Sequence, residues 1–453
     1  MTYSIPRLVL AGTNSGCGKT TVTCAVLQAL VNRGLKVGAF KCGPDYIDPM
    51  FHSRIIGAKS ANLDPFFFDQ NTLRYLLAKN GADRDVSIVE GVMGFYDGMS
   101  MSSTKASTYE TSELTDSPVV LVVGARGAAL SVLATIHGFL TFCPESRICG
   151  VIFNQCTGMT YAMLAKAIEA RFEGRVKPLG YLPVMKDCAM ESRHLGLVTA
   201  AEVKDLQEKM QRLAQQAEAS LDLDGLLTLA KCAAPITCEK IVLPKFEKPV
   251  RIGVARDKAF CFYYEDSLEV LRDMGAELIP FSPLEDAALP ERLDGLYLGG
   301  GYPELYTEKL SQNHAMRQSI LTALQHDLPC IAECGGFMYL TEAIGEKPMV
   351  GYLPGNSFDT GKLVRFGYVT LTAKEDNLLC QAGETIRGHE FHHWDCQDTG
   401  HGFTAQKQSG KSWDCVHTTK TLYAGYPHFH FYANPKFVVS FYEACLKERH
   451  NHD

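Results

Sequence analysis

The sequence predicts an α/β protein with two domains, the first of them built on a parallel, doubly wound sheet, and three observations lead to this fold class. Short apolar runs alternate with helical patterns through the first half, as in a sheet covered by helices on both faces. The pattern breaks over residues 231–249, where Pro, Lys and Glu accumulate, and then restarts. The 453 residues suit domains of about 200 each. We expect domains at residues 1–235 and 250–453, joined by a linker at 236–249.

The individual elements follow from runs of Val, Ile and Leu for strands and from Ala, Leu, Glu, Gln and Lys for helices. The first half is expected to hold strands at 7–11, 35–41, 86–89, 119–123, 148–154 and 177–182, and helices at 19–32 and 200–227. The second half is expected to hold strands at 250–255, 277–281, 295–298 and 330–333, and a helix at 264–274.

Composition excludes several classes of protein. Hydrophobic residues make up 46% of the chain and charged residues 21%, which is ordinary for packed domains and excludes a disordered chain, a collagen and a coiled coil. The net charge of −7 argues against nucleic acid or an anionic membrane as partner. The apolar runs are strand-sized and the N-terminus lacks a signal peptide's basic start, so we expect a soluble, cytoplasmic protein. Its 16 cysteines contain no CxxC pair and are expected to be reduced.

A phosphate loop is predicted by GTNSGCGKTT at residues 12–21, between a strand and a helix. Thr13 occupies the first glycine position of the usual pattern, but Gly16 and Gly18 still allow backbone N–H groups to surround phosphate oxygens at a helix N-terminus. Lys19 is expected to contact the β- and γ-phosphates, and Thr20 to offer its hydroxyl to Mg²⁺. The predicted ATP-binding residues are Asn14, Ser15, Gly16, Cys17, Gly18, Lys19, Thr20 and Thr21.

Two acidic segments, KCGPDYIDPMFH at 41–52 and IVEGVMGFYDG at 88–98, begin where predicted strands end. Ligands of open α/β sheets gather at this edge, so both segments are expected to face the phosphate loop. Asp45 and Glu90 are candidate Mg²⁺ ligands beside Thr20. Loop capping is the alternative role for any single acid. The candidate substrate-binding residues are Tyr46, Asp48 and Asp97, together with Arg193 and His194 of the SRHLGL segment.

These four segments, in this order, resemble the cobyrinic acid a,c-diamide synthases, glutamine amidotransferases of corrin biosynthesis whose synthetase half is similar to dethiobiotin synthetase. The second half adds YLGGGYPELY, AECGGFMYL, RGHEFHHW and HFHFYANP. The resemblance implies an N-terminal P-loop NTPase domain and a C-terminal class I glutamine amidotransferase domain of flavodoxin-like fold. It also implies Mg²⁺, ATP and L-glutamine as cofactor and co-substrates, acyl-phosphate chemistry on the a and c acetates of a corrin, and a possible homodimer.

AECGGFMYL places Cys334 between an apolar run and a probable helix, which fits the nucleophile-elbow geometry. A cysteine thiolate attacks an amide and releases ammonia. Gly335, with Gly300 or Gly301, is expected to form the oxyanion hole. The general base is His428 or His430. By resemblance, class I enzymes carry His-x-Glu, so His428 is the expected base and the residue that orients it stays open.

Several alternatives stand beside this interpretation. His389, His392 and His393 have spacing that a metal site on a helix uses, or they face substrate or pack. The same chemistry on nickel-sirohydrochlorin or hydrogenobyrinic acid fits the same motifs. A regulatory P-loop ATPase is disfavoured because such enzymes need a lysine early in the loop, where this chain has Thr13, Asn14 and Ser15. A binding module without catalysis is disfavoured by the intact set of Lys19, Cys334 and His428.

Overall fold

The computed structural model describes residues 1–188 and 200–452, which form two compact units, Met1–Ile241 and Val242–Asp453. Part of the segment expected to be a linker lies in the first unit, because Ile236–Thr237 pairs with Thr2–Tyr3 near the N-terminus. The domain limits drawn from the sequence stay a prediction. Within the described part of the chain, none of the helices combines the length and apolar character needed to span a bilayer.

The first unit alternates strands and helices along the chain. Its strands are β1 Thr2–Tyr3, β2 Arg7–Gly12, β3 Val37–Cys42, β4 Lys59–Leu63, β5 Val86–Glu90, β6 Val119–Gly124, β7 Ile148–Asn154, β8 Lys177–Leu182 and β9 Ile236–Thr237. Its α-helices are α1 Lys19–Asn32, α2 Ile47–Phe51, α3 Gln70–Gly81, α4 Thr108–Leu114, α5 Ser131–Phe142, α6 Gly158–Phe172, α7 Ala200–Ser220 and α8 Leu223–Lys231. A π-helical turn, His52–Ile56, follows α2, and a 3₁₀ turn lies at Lys186–Cys188.

Seven parallel strands form the sheet of this unit, in the order β4-β3-β5-β2-β6-β7-β8. This confirms the predicted parallel sheet, to which β4 is an addition that the sequence analysis did not include. The register pairs Leu10 and Lys41 with Glu90, so these residues lie side by side near the carboxyl ends of the neighbouring strands β2, β3 and β5. The phosphate loop leaves β2 at the same edge.

The single helix predicted at residues 200–227 is wrong in one respect, because the chain forms two helices there. Helix α7 ends at Ser220, and the carboxylate of Asp222 accepts a hydrogen bond of 2.8 Å from the N–H of Gly225, which caps the start of α8. The N–H of Asp222 donates a hydrogen bond to the carbonyl of Leu179 in β8. Aspartate favours such an N-cap over a helix interior, and this local chemistry separates the two helices.

The second unit combines a parallel sheet with antiparallel sheets. Its strands are β10 Arg251–Ala255, β11 Phe260–Phe262, β12 Glu277–Phe281, β13 Gly295–Leu298, β14 Gly300–Gly301, β15 Cys330–Glu333, β16 Ala343–Ile344, β17 Lys347–Pro348, β18 Asn356–Asp359, β19 Phe366–Ala373, β20 Thr385–Phe391, β21 Trp394–Cys396, β22 Phe403–Gln406, β23 Ser412–Cys415, β24 His417–Thr418, β25 Leu422–Gly425 and β26 His428–Phe429. Its α-helices are α9 Glu265–Met274, α10 Thr307–Gln312, α11 His314–Gln325, α12 Gly335–Leu340 and α13 Pro435–His452.

The central sheet of the second unit has the order β12-β10-β13-β15-β25-β24, and only β24 pairs antiparallel within it. A five-stranded antiparallel sheet, β23-β22-β19-β20-β26, was absent from the sequence prediction. Its edge strand β26 carries His428, which pairs with His389 of β20. This second sheet therefore delivers the predicted base, while the central sheet delivers Cys334 at the end of β15.

Candidate active sites

The phosphate loop is held from one side and open on the other. Gly16 and Gly18 have φ values of 80° and 94°, a left-handed conformation that glycine adopts without steric cost. A Cβ atom at Gly18 would lie 1.8 Å from the side-chain nitrogen of Asn154, which donates a hydrogen bond of 3.0 Å to the carbonyl of Cys17. Asn14 to Gly16 are exposed, so the outer part of the loop is accessible to a ligand.

Lys19 joins the phosphate loop to the segment that follows β5. Its buried ammonium group donates to the carbonyls of Asn14, at 3.5 Å, and of Met93. The N–H of Phe95 in the same segment donates to the carbonyl of Gly12 at 2.8 Å. Burial lowers the pKa of Lys19. The structure thus brings together the first and third motifs that were identified in the sequence.

Glu90 is completely buried beneath the phosphate loop and has three polar neighbours. Thr20 donates its hydroxyl hydrogen to Oε1 at 2.7 Å, the ammonium of Lys41 lies 3.1 Å from the same oxygen, and His52 Nε2 lies 3.2 Å from Oε2. Burial by itself would raise the pKa of Glu90, but Lys41 and His52 outweigh it and hold the pKa well below its usual range. Glu90 is therefore a buried carboxylate in direct contact with Thr20, as expected for two residues of one site.

The other predicted acidic residues hold local structure. Asp48 pairs with Lys41 at 2.5 Å, and burial, partly opposed by Lys41, raises the pKa of Asp48 to about 6. Asp45 accepts a hydrogen bond of 2.7 Å from the N–H of Ile47 at the start of α2. Asp97 accepts one of 2.7 Å from the N–H of Gly94. The contacts of Asp45 and Asp97 are of the loop-capping kind named above as the alternative, whereas Asp48 is held by a buried ion pair.

The remaining candidates of this half divide between the described and undescribed parts of the chain. Tyr46 is buried at the N-terminus of α2, next to Asp45. Arg193 and His194 lie outside the described residues.

A magnesium site was predicted from Thr20, Asp45 and Glu90. Among residues 1–188 and 200–452, no group of three or more His, Cys, Asp and Glu side chains is arranged to hold a metal ion by itself. The donor chemistry nevertheless fits Mg²⁺, because a hydroxyl and a carboxylate lie in contact at the start of α1 and the ion prefers hard oxygen ligands. Mg²⁺ usually takes part of its coordination from nucleotide phosphates.

The nucleophile elbow in the second unit is a tight turn between β15 and α12. Cys334 has φ 49° and ψ −102°, a strained conformation for a residue with a side chain. Its N–H donates to the carbonyl of Gly425 at 2.8 Å. A Cβ atom at Gly336 would lie 2.1 Å from the carbonyl oxygen of Leu298, so the turn requires glycine there. Burial, followed by the charge of Glu304, raises the pKa of the Cys334 thiol.

The predicted oxyanion-hole glycines come together at this elbow. Gly300 and Gly301 form β14, and a Cβ atom at Gly335 would lie 3.1 Å from the backbone nitrogen of Gly301. Because the three glycines have no side chains, two backbone segments approach closely beside the nucleophile. Such an arrangement offers N–H groups to a developing negative charge.

The two candidate bases have different surroundings. His428 lies with Nδ1 3.4 Å from Oε2 of Glu333, and a Cβ atom at Gly300 would come within 2.5 Å of its Cε1. His430 accepts a hydrogen bond of 3.2 Å at Nδ1 from the N–H of Tyr432 and packs against Tyr264. His428 is therefore the histidine beside the elbow and the glycine loop, while His430 caps the turn that follows.

The histidines of RGHEFHHW lie on and after strand β20, rather than on a helix. His389 stacks on His428 with ring centroids 5.2 Å apart. His392 contacts Oε2 of Glu390 at 3.0 Å and stacks on Tyr426. These are packing contacts, and no metal-binding cluster includes these histidines in the described part of the chain.

Sequence reasoning missed several residues that complete the two sites. In the first unit these are Lys41, His52 and Asn154, and in the second they are Tyr297, Glu304 and Glu333. All of these except Asn154 lie inside motifs that were identified, so position in the motif was the available signal. Asn154 comes from a separate strand and carried no such signal.

Comparison with known proteins matches both halves of the chain. Residues 8–197 match the CobQ/CobB/MinD/ParA nucleotide binding domain, and residues 251–436 match the CobB/CobQ-like glutamine amidotransferase domain. The chain is 39% identical over 449 residues to a cobyrinate a,c-diamide synthase of Listeria innocua, covering 97% of this chain and 99% of that protein. It is 39% identical over 452 residues to that of Thermoplasma volcanium, covering 98% of each. It is 40% identical over 436 residues to that of Clostridium acetobutylicum, covering 95% and 98%.

Proposed function

Because the chain belongs to the cobyrinate a,c-diamide synthase family, we propose that it amidates the a and c acetate carboxylates of cobyrinic acid, using ATP and the amide nitrogen of L-glutamine. The observation that carries the proposal is the presence, on one chain, of a phosphate loop with Lys19 and Glu90 and a nucleophile elbow with Cys334 beside His428. The first can activate a carboxylate, and the second can supply ammonia to it.

In the proposed synthetase reaction, an oxygen of the substrate carboxylate attacks the γ-phosphorus of ATP. A new O–P bond forms, the bond to the β-phosphate oxygen breaks, and ADP leaves. Ammonia then attacks the acyl carbon, the C–O bond to phosphate breaks, and inorganic phosphate and a proton are released. Lys19 is positioned to neutralise charge on the transferred phosphoryl group.

Mg²⁺ would be held by Thr20 with Glu90, and by Asp45 directly or through water. The ion would neutralise phosphate charge. Glu90 is kept ionised for this role by Lys41 and His52, which lower its pKa despite its burial.

In the proposed glutaminase reaction, His428 takes the thiol proton and Sγ of Cys334 attacks the side-chain amide carbon of glutamine. The C–N bond breaks, the nitrogen leaves as ammonia with a proton from His428, and a thioester remains. Water then cleaves the thioester, which gives glutamate and restores the thiol. The N–H groups of Gly335 and of Gly300 or Gly301 are positioned to bind the oxyanion.

Product analysis by mass spectrometry tests the whole proposal. The protein is incubated with ATP, Mg²⁺ and amide-labelled glutamine, and cobyrinic acid, hydrogenobyrinic acid and nickel-sirohydrochlorin are offered in parallel. Two labelled amides on cobyrinic acid are expected. A preference for either of the other macrocycles would change the substrate and keep the chemistry. No amidation of any of them, with glutaminase activity intact, would contradict the proposed substrate class.

The variant Cys334→Ser separates the two half-reactions. It is expected to lose glutamine-dependent amidation, because a serine hydroxyl at this elbow is a far weaker nucleophile than a cysteine thiolate. Amidation with free ammonium salts is expected to continue at the wild-type rate. Loss of both activities together, in a variant whose circular dichroism matches wild type, would contradict the assignment of two separate reactions.

A further inference from the structure

We propose that Glu333, the residue immediately before the nucleophile, is the positioning residue for His428. It takes the place of the glutamate that class I amidotransferases carry two residues after their histidine. That later position is occupied here by His430, whose ring nitrogen accepts a hydrogen bond from the backbone of Tyr432. The inference rests on the proposed glutaminase activity and extends it to a residue for which the sequence analysis named no role.

The alternation of side chains along β15 directs Glu333 toward His428. Cys330 and Ala332 point into the core cluster of the second unit, so the intervening position and Glu333 point to the opposite face of the sheet. On that face Oε2 of Glu333 lies 3.4 Å from Nδ1 of His428 and 3.4 Å from the phenol oxygen of Tyr297. Glu333 is 1% exposed and His428 3%, so water does not screen this contact.

This contact selects the working nitrogen of His428. An Nδ1–H that donates to Glu333 leaves Nε2 as the basic nitrogen. Nε2 lies on the side of the ring that faces the predicted oxyanion loop, 3.3 Å from where a Cβ atom of Gly300 would be. Glu333 thus contacts one edge of the ring, and the other edge fits against Gly300 because that residue has no side chain.

Glu333 supplies the carboxyl group that contacts His428. Glu333 on β15 and His389 on β20 are titratable groups that face His428, and the phenol of Tyr297 on β13 reaches the same carboxylate. Burial, together with His428, lowers the pKa of His389 well below its ordinary value, so His389 packs as a neutral ring. A carboxylate at Nδ1 stabilises the imidazolium that forms when His428 accepts the thiol proton.

The test compares Glu333→Gln with Glu390→Gln in the full-length protein. Glu390 is a matched control, because it is also 1% exposed and also contacts a histidine, His392, at 3.0 Å. The readouts are kcat and KM for glutamine hydrolysis, amidation with free ammonia, and the rate at which iodoacetamide alkylates Cys334 between pH 6 and 9, a span of about three units around the ordinary thiol pKa.

Glu333→Gln is expected to lower kcat by about 10²-fold, since a positioned general base contributes roughly 10²- to 10⁴-fold, with little change in KM and with ammonia-dependent amidation retained. Glu390→Gln is expected to keep the wild-type kcat. Alkylation separates positioning from a simple charge effect. The charges of Glu390 and, to a smaller extent, Glu333 both contribute to the raised pKa of Cys334. A mere charge effect therefore predicts faster alkylation in both variants at neutral pH, whereas a positioning role predicts slower alkylation in Glu333→Gln alone.

Faster alkylation or an unchanged kcat in Glu333→Gln would overturn the proposal. If that variant fails to fold, Glu333→Asp takes its place. It keeps the charge and withdraws it by one methylene, so it is expected to have a reduced kcat with an unchanged KM, and a wild-type kcat would again overturn the proposal. A wild-type protein that does not hydrolyse glutamine would contradict the proposed function itself, which keeps the two failures distinguishable.

Discussion

Lys41→Met is the change that most directly tests the buried charge cluster of the first unit. Lys41 lies 2.5 Å from Asp48 and 3.1 Å from Glu90, and its side chain is only 6% exposed. Glu90 has no exposed surface at all. Methionine preserves most of the side-chain volume and removes the charge, so Glu90 and Asp48 are left as buried carboxylates without their shared cation.

Removing one partner of a buried ion pair costs about 3–5 kcal/mol, because the remaining charge is neither paired nor hydrated. That free energy corresponds to roughly a 150- to 5,000-fold increase in the opening equilibrium, at about 1.4 kcal/mol per factor of ten. The loss of stability caused by Lys41→Met is expected to become smaller below about pH 5. In the wild type, the low pKa of Glu90 provides stability that is present above its ordinary pKa and lost as the pH falls. In the variant, protonation of both carboxylates relieves their repulsion.

Hydrogen–deuterium exchange of peptides from β3 and β5 measures this opening locally. The protein contains two tryptophans, Trp394 and Trp413, and both lie in the second unit, so their fluorescence during urea unfolding is an internal control that should not change. Lys36→Met, at an exposed position, controls for the substitution itself. The double variant Lys41→Met/Glu90→Gln is expected to be more stable than Lys41→Met. Equal exchange in Lys41→Met and Lys36→Met, or a double variant less stable than Lys41→Met, would refute this electrostatic reasoning.

Two further predictions concern the two sites. Gly18→Ala is expected to abolish ATP binding measured by calorimetry, because at φ 94° its Cβ would lie 1.8 Å from Nδ2 of Asn154. The control Gly34→Ala, at φ 79° with open space around it, should leave the ATP affinity unchanged. Equal ATP affinities of the two variants would contradict the steric argument. Burial raises the pKa of Glu304 to about 7, and its charge raises the pKa of Cys334. Glu304→Gln is therefore expected to speed Cys334 alkylation above about pH 7 and to leave it unchanged below about pH 6, where the wild-type carboxyl is protonated. Acceleration at both pH values would exclude the charge of Glu304 as the cause.

Most of the first unit was predictable, because its parallel strands are buried on both faces and read as continuous apolar runs. Ile148–Asn154 and Lys177–Leu182 have the predicted bounds. Strand Lys59–Leu63 was missed because it begins with two polar, half-buried residues. In the second unit, strand Phe366–Ala373 buries every second residue toward its end. That alternation is the signal of an antiparallel sheet, and counting it would have predicted this element.

The site residues also divide into those that the sequence predicts and those that only the structure shows. Motifs predict Lys19, Glu90, Cys334 and His428 as site residues, because each motif carries its chemistry within a short stretch of chain. The partners of these residues arise from pairing between strands, as when register places Lys41 beside Glu90. Strands β3 and β5 are buried at every position and show no alternation from which their register could be read, so such contacts had to come from the structure.

The position of Glu333 has a consequence for how the glutaminase site is built. In the His-x-Glu arrangement, base and orienting acid lie on one segment, and the nucleophile on another. Here the acid and the nucleophile are consecutive residues at the end of β15, and the base arrives on β26 of a different sheet. The pairing of Glu333 with Gly425, and the bond from the N–H of Cys334 to the carbonyl of the same glycine, hold both groups to one neighbouring strand. A disturbance of β25 should therefore displace nucleophile and acid together, whereas a disturbance of the β20–β26 pairing should displace the base alone.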